Sequence, residues 1–328
     1  MRHVNTVFKM SRLVYINGLY VPQDTALIEV NDRGFQFGDG VYVVASLYNG
    51  RAIDLDAHLG RLEGYGKDIQ IALPFAKEVL KGVCLELIRR NRVKEGSLYI
   101  QMTRGCAPRV HPFPDAPVSP SLVMIIKQSA VPLDAARLPH VKVMSTPDIR
   151  WRRPHIKATS LLPTVLLRQM AKEEGCFDAW LTDEDGAVSE GASCNAYIVT
   201  RAGVLVTRPQ DGSLVPGVTR TRLLALARAA GISVEERPFT VEEVKDAAEA
   251  FLSGAVSMVK CVTHIDGHQI GTGVAGPITT RMANLYFDYC RMTTKDAAPA
   301  RTSYLGFKRP RTAAIEGAHT HKTWALAS

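Results

Sequence analysis

The stretch IRWRRPHIKATSLL, residues 149–162, decides how this chain is read. Arg150, Arg152, Arg153, His155 and Lys157 crowd into eight residues around Trp151. A run this basic is ordinarily a solvated face or a patch for polyanions. Lys157 differs from its neighbours: no charged residue follows it from Ala158 to Leu167, and that segment is largely apolar. An amine turns nucleophilic when it is partly neutral, which burial and nearby cations both favour. Local sequence leaves two readings of Lys157 open, a surface charge or a reactive amine.

The rest of the chain bounds the answer. Its 328 residues suffice for two ordinary domains, and 46% hydrophobic against 22% charged residues is the balance of a globular protein with a real core. No apolar run approaches the ~20 residues of a membrane span. The N-terminus is basic but has no long apolar region before a small-residue cleavage site, so no secretory signal is read. Met10 offers an alternative start. Six cysteines, none in CxxC spacing, argue against a zinc site or a disulfide framework and fit a reducing cytoplasm; no metal is expected. Half of the net charge of +8 lies in residues 293–328, with Lys295, Arg301, Lys308, Arg309, Arg311 and Lys322 against Asp296 and Glu316. The body is only mildly basic, which disfavours nucleic-acid binding, and the tail reads as a disordered basic extension.

Along the chain, LVYINGLYVP and ALIEVNDRG read as short strands, with Asn17-Gly18 as a hairpin turn. VYVVASLYNGRAIDL is a strand, an Asn49-Gly50 turn and a return. Helical spacing begins near Asp56, and FAKEVLKGVCLELIRRNRV is amphipathic. GSLYIQMTRG and SLVMIIKQSA are strands flanking a proline-rich loop. Residues 1–130 thus form a smaller N-terminal α/β domain. Residues 131–292, with strand-like VKVMSTPDI, a helix LLPTVLLRQMAKEEG, further strands and the helices TRTRLLALARAAGI and ITTRMANLYFDYCR, form a larger one. The fold class is α/β (α+β). There is no repeat, no GxGxxG and no Walker sequence.

Four further groups have both a bland and a chemical reading. Glu190, ending a strand in VSEGASCNAY, is a turn glutamate or the partner of a cationic ring nitrogen. Gly217, Val218 and Thr219 in VPGVTRTRLL cap a helix, or cradle a phosphate with free N–H groups, the dipole and a hydroxyl. Arg61 in AHLGRL is a surface charge, or an inward cation that needs an anion. Arg109 and His111 in TRGCAPRVHPFP are loop residues, or paired donors for a carboxylate. Amine nucleophile, acid for a ring nitrogen, phosphate cradle and carboxylate trap are the parts of a pyridoxal-phosphate site acting on an amino acid.

DRGFQFGDGVY, HLGRL, TRGCAPRVHPFP, DIRW through Lys157, SEGASCN and PGVTR occur here in one order. In that order and approximate spacing the chain resembles the fold-type IV pyridoxal-phosphate aminotransferases, nearest to their D-amino-acid transaminase branch, from about Leu13 to Arg291. The resemblance implies a two-domain fold with the cofactor, pyridoxal 5′-phosphate, between the domains, usually in a homodimer whose partner completes the site. It implies that Lys157 binds the cofactor covalently and shuttles the proton, that Glu190 pairs with the pyridine nitrogen, and that Arg61, Val218 and Thr219 hold the phosphate. Ser193 and Asn195 would support the cofactor. Tyr42, Arg109 and His111 would trap the substrate carboxylate, with Val44 and Val215 lining the side-chain pocket.

The implied reaction is amino transfer from a D-amino acid such as D-alanine to a 2-oxo acid such as 2-oxoglutarate, by a ping-pong cycle. The alternatives are a branched-chain L-amino-acid transaminase, an (R)-amine transaminase, an aminodeoxychorismate lyase, or a non-catalytic relative. One segment departs from the family. In GAVSMVKCV, Gly254, Ala255 and Val256 stand where hydroxyl residues usually make a second phosphate contact, and Lys260-Cys261 replaces Thr-Pro. A lost hydroxyl costs about 1.5–3 kcal/mol, roughly tenfold to a hundredfold in affinity, unless backbone N–H groups, Ser253 or Ser257 replace it.

Overall fold

Alternation of apolar residues builds the first sheet. In a computed structural model that describes residues 12–295, it contains β1 (Leu13–Ile16), β2 (Leu19–Pro22), β3 (Gly40–Tyr48), β4 (Arg51–Ala52), β5 (Gly96–Thr103) and β6 (Ser121–Gln128), in the order β2-β1-β6-β5-β3-β4. Pairing is antiparallel throughout, and register sets Tyr42 opposite Gln101 and Val44 opposite Tyr99. Successive side chains point to opposite faces. Val41, Val43 and Leu47 therefore join Leu98, Ile100, Met102, Leu122, Met124 and Ile126 on one face. Two amphipathic helices cover that face, one over Leu55–Asp68 and the other over Lys77–Asn91. Tyr42 and Val44 lie on the opposite face and are half-buried.

The helix Arg33–Phe37 precedes them in the chain, so the three are α1, α2 and α3 in order. ALIEVNDRG does not form the expected strand. Its first residues run as coil, leaving Leu27, Ile28 and Val30 exposed, and its end enters α1. Asp32 caps α1 by accepting from Gly34 N, and Gly38 closes it with a left-handed φ of 67°.

The second sheet holds the remaining strands: β7 (His140–Pro147), β8 (Asp178–Thr182), β9 (Val188–Gly191), β10 (Asn195–Val199), β11 (Leu205–Thr207), β12 (Val234–Glu236), β13 (Glu249–Gly254), β14 (Met258–Ile265) and β15 (His268–Gln269). Its order is β12-β11-β10-β13-β14-β7-β8-β9, with β15 beside β14. The helices are α4 (Leu162–Glu173), α5 (Val218–Ala229), α6 (Val241–Asp246) and α7 (Pro277–Thr293). Along β10, Tyr197 and Val199 face a core under α5 and α7, while Ala196 and Ile198 face a second core with Trp180, Phe239 and Val244. Both sheets belong to one compact unit that ends at Lys295.

Thr293 belongs to α7, and buried Thr294 donates its hydroxyl to the carbonyl of Cys290, so the helix cap extends past the expected boundary. The alternative start at Met10 and the basic residues from 296 onward lie outside the described residues.

Candidate active site

Lys157 is carried by a segment of the second half that pairs with the first sheet. Tyr42 N donates to the Lys157 carbonyl at 3.0 Å, Thr159 N donates to the Gly40 carbonyl at 2.9 Å, and Val41 and Ala158 form a bridge. A glycine allows this approach: a Cβ at Gly38 would collide with Ser160, and one at Gly40 would lie 2.8 Å from the Met102 carbonyl of the adjacent strand β5. The Lys157 side chain is half-buried, with Nζ 4.7 Å from the centre of the Tyr42 ring. Most of the basic run is scaffold or solvent-facing. Arg152 makes only an exposed pair with Glu184, and Arg153 and Trp151 are exposed.

Arg150 is the exception, and sequence reasoning missed it. Its guanidinium donates to Asp148 and, through Nη1, to Glu190 Oε1 at 2.8 Å. Glu190 is 3% exposed. Oε1 also accepts from Val215 N at 2.9 Å, and Oε2 accepts only from the Asn195 amide at 3.2 Å. Burial pushes the Glu190 carboxyl up; Arg150, the Val215 N–H and the charge of Lys157 work against that. Ser193 does not share this cluster. Its hydroxyl donates to Asp178 at 2.8 Å.

Arg61 projects from α2 toward the start of α5. Gly217 caps α5 without a side-chain hydrogen bond, and a Cβ there would collide with the Asn195 amide oxygen. Arg61 and Val218 line a cleft of about 150 Å³ between the two helices. Thr219 is buried. The helices are tied together by Asp54, which precedes α2 with φ 52° and accepts from Arg222 of α5 at 2.8 Å and from the Tyr289 hydroxyl of α7. Beside Arg61, buried His58 is pushed down to about 4 by desolvation; Asp54 opposes this, while Lys157 and Arg61 reinforce it.

The departing segment is the turn between β13 and β14. The Ala255 carbonyl accepts from the Ser46 hydroxyl of β3, so this turn is tied to the first sheet. Ser253 is fully buried and hydrogen-bonded to the Tyr197 hydroxyl at 2.9 Å. Lys260 lies over the Phe177 ring, and Cys261 is buried in the core under α5 and α7.

Tyr42 stacks at a tilt on Tyr99, 5.4 Å between centroids, with Val44 on the same strand face. Arg109 and His111 are not brought to this cluster. Both are exposed and rest on Phe37, with the Arg109 guanidinium 5.2 Å and the His111 ring 5.5 Å from its centre. Among the described residues no group of three or more His, Cys, Asp and Glu is placed to hold a metal, and no helix is long and apolar enough to cross a membrane.

The fold and its likeness to solved proteins define an aminotransferase. Branched-chain amino acid aminotransferase from Escherichia coli superposes with a TM-score of 0.79 at 25% identity, over 85% of this chain and 94% of that one. The family profile for amino-transferase class IV matches residues 40–265, and the chain belongs to that family. D-alanine aminotransferase of Bacillus licheniformis is 37% identical over 81% of this chain and 93% of its own length. The D-alanine aminotransferase of Staphylococcus haemolyticus is 34% identical over 84% and 97%. The cofactor of this family is pyridoxal 5′-phosphate, and the donor set fits it: a half-buried amine, a buried carboxylate with one lightly used oxygen, and an uncapped helix N-terminus facing an arginine.

Proposed function

We propose that the chain transfers the amino group of a D-amino acid such as D-alanine to a 2-oxo acid such as 2-oxoglutarate. The observation that carries this reading is Lys157 on the Tyr42 ring, within electrostatic reach of a Glu190 held by Arg150, Asn195 and Val215 N. The D-alanine aminotransferases at 33–37% identity support the substrate class. When bound, pyridoxal phosphate supplies a conjugated ring that accepts the electron pair left at Cα. Lys157 would hold the cofactor and carry the proton to and from Cα. Glu190 would meet the ring nitrogen through Oε2, the oxygen with spare acceptor capacity. Arg150 works against the upward push of burial on that carboxyl. Arg61 and the N–H groups of Val218 and Thr219 would take the phosphate.

The remaining parts of the reading follow from exposure. The division into domains at 1–130 and 131–292 is supported by the two sheets, β1–β6 in the first part and β7–β15 in the second. Leu27, Ile28, Val30 and Phe35, together with Leu162 and Val165 of α4, are large apolar side chains facing solvent in the single chain. Such surface is covered in an assembly, and a second copy is the occupant in a homodimer. Arg109 and His111 would then serve the partner's site, trapping the carboxylate above Tyr42, with Val44 and Val215 beside the substrate side chain. Asn195 acts through Glu190, and Ser193 through Asp178. The Ala255 turn borders the phosphate side. The six cysteines are free, which suits the cytoplasm.

The test is a half-reaction. Cofactor-loaded protein is mixed with D-alanine and, separately, with L-leucine, and the visible cofactor band is followed. Loss with D-alanine alone, reversed by 2-oxoglutarate, is the expected result. Loss with L-leucine alone would move the chain to the branched-chain activity, and no band at all would favour the non-catalytic relative.

A further inference from the structure

DRGFQFGDG, residues 32–40, contributes no side chain to the cluster around Lys157, yet it contains a buried ionic hub. Asp39 Oδ2 accepts from Arg33 Nε at 2.8 Å and from Arg104 Nε at 2.7 Å, while Oδ1 accepts from Arg104 Nη2 at 3.0 Å. The side chains are 11%, 3% and 9% exposed for Asp39, Arg33 and Arg104. Two guanidiniums on one carboxylate leave donors to spare, and those donors hold a loop. Arg33 Nη1 donates to the Val110 carbonyl at 2.6 Å and Nη2 to the His111 carbonyl at 3.1 Å. Arg104 is anchored on the carbonyls of Ile69 and Gln70 and lies 3.5 Å from the centre of the Phe113 ring. Arg33 also covers Phe37, the ring on which Arg109 and His111 rest.

We propose that Asp39, acting through Arg33 and Arg104, is a positioning residue for recognition of the substrate carboxylate, because its hub fixes the backbone that carries Arg109 and His111. This rests on the assignment of those two residues to the carboxylate trap. The loop lies between β5 and β6 and makes no strand of its own at 109–113, so its shape is set by these contacts. A buried carboxylate shared by two arginines tolerates little movement, since losing either contact leaves a desolvated charge. Asp39 also directly precedes β3, which carries Tyr42 and pairs with the Lys157 segment. One carboxylate thus ties the loop to the strand that leads to the amine.

The experiment uses cofactor-loaded full-length protein. Asp39→Asn is expected to raise KM for D-alanine and Ki for propionate together, on the order of tenfold to a hundredfold. The fall in kcat at saturation should be far smaller, and cofactor dissociation should be unchanged. Phe113→Leu, at a half-exposed ring, should shift both constants in the same direction and guards against a folding failure of the first variant. Combined with Arg109→Ala, Asp39→Asn should add less than about twofold, because both changes disable one device. If Arg109→Ala raises KM but neither hub variant does, or if the effects multiply, the hub is only structural and the proposal falls. If Arg109→Ala itself leaves KM and Ki unchanged, the carboxylate assignment falls and the proposal with it.

Discussion

The surroundings of Glu190 and the loop at Arg109 are both built on arginines, but they are finished to different degrees. Glu190 is buried, and three donors from its own chain fix it. Arg33 of the Asp39 hub holds the Val110 and His111 carbonyls, yet the Arg109 and His111 side chains face solvent on Phe37. One region is complete within a chain. The other, in the proposed reading, mounts groups whose target lies outside the same chain's cluster. The difference teaches that rigidity of a support and completeness of a site are separate properties, and that a second copy of the chain is the natural place to look for the target.

The largest effect should come from the complete side. In the proposed reading Lys157→Ala removes both the covalent anchor and the proton carrier, and half-reaction rates should fall by roughly 10⁴-fold or more. Turnover near the parent level would remove Lys157 from the chemistry. The next test bears on the comparison itself. Chains with Lys157→Ala and chains with Arg109→Ala, refolded together, should regain roughly a quarter of parental activity, because half the dimers are mixed and each has one intact site. No recovery would mean that Arg109 serves the lysine of its own chain.

A third prediction concerns pH. Folding holds His58 neutral by lowering it to about 4 from the ordinary 6.5. Between those values the unfolded chain binds the extra proton, so stability is present above the window and lost as pH falls through it. The full contribution is about 3 kcal/mol. Urea unfolding at pH 7 and pH 4.5 should show the parent losing more stability than His58→Gln. Equal losses would show that His58 is not held neutral. The smallest effect is expected at Leu27, which is 85% exposed. Leu27→Ser should change the stability of the chain itself by less than about 0.5 kcal/mol, while weakening the dependence of Tm on protein concentration that an assembly produces. An unchanged dependence would take Leu27 out of any interface.

The long elements were legible because their periodicity is local. Val41, Val43, Ala45 and Leu47 alternate into the core of β3, and Leu55, Leu59 and Leu62 repeat along α2. α1 was missed because five residues are too few to show a period; only its ends, Asp32 and Gly38, signalled it. ALIEV was misread as a strand because apolar content reports a need for cover without saying what supplies it. In the site, the sequence around Lys157 left a surface charge and a reactive amine both open, and only the ordered motifs shared with the family favoured the amine. Arg150 was not legible, because one arginine in a basic run looks like the next until tertiary structure sets it against Glu190. The sequence could not show that Ser253, a candidate for the missing hydroxyl, meets Tyr197, 56 residues away.

The pairing of the Lys157 segment with the first sheet has a kinetic consequence. The Thr159 hydroxyl meets the Gly38 carbonyl across 121 residues of chain, and loops of that length close late because their entropy must be offset before contacts reward it. Lys157 therefore acquires its aromatic neighbour late, together with the long-range pairings of the sheets, such as Cys261 with His140 across the same 121 residues. A chain refolding from denaturant should regain backbone circular dichroism before it can colour with cofactor, and the lag between the two signals times the closure of the active cleft.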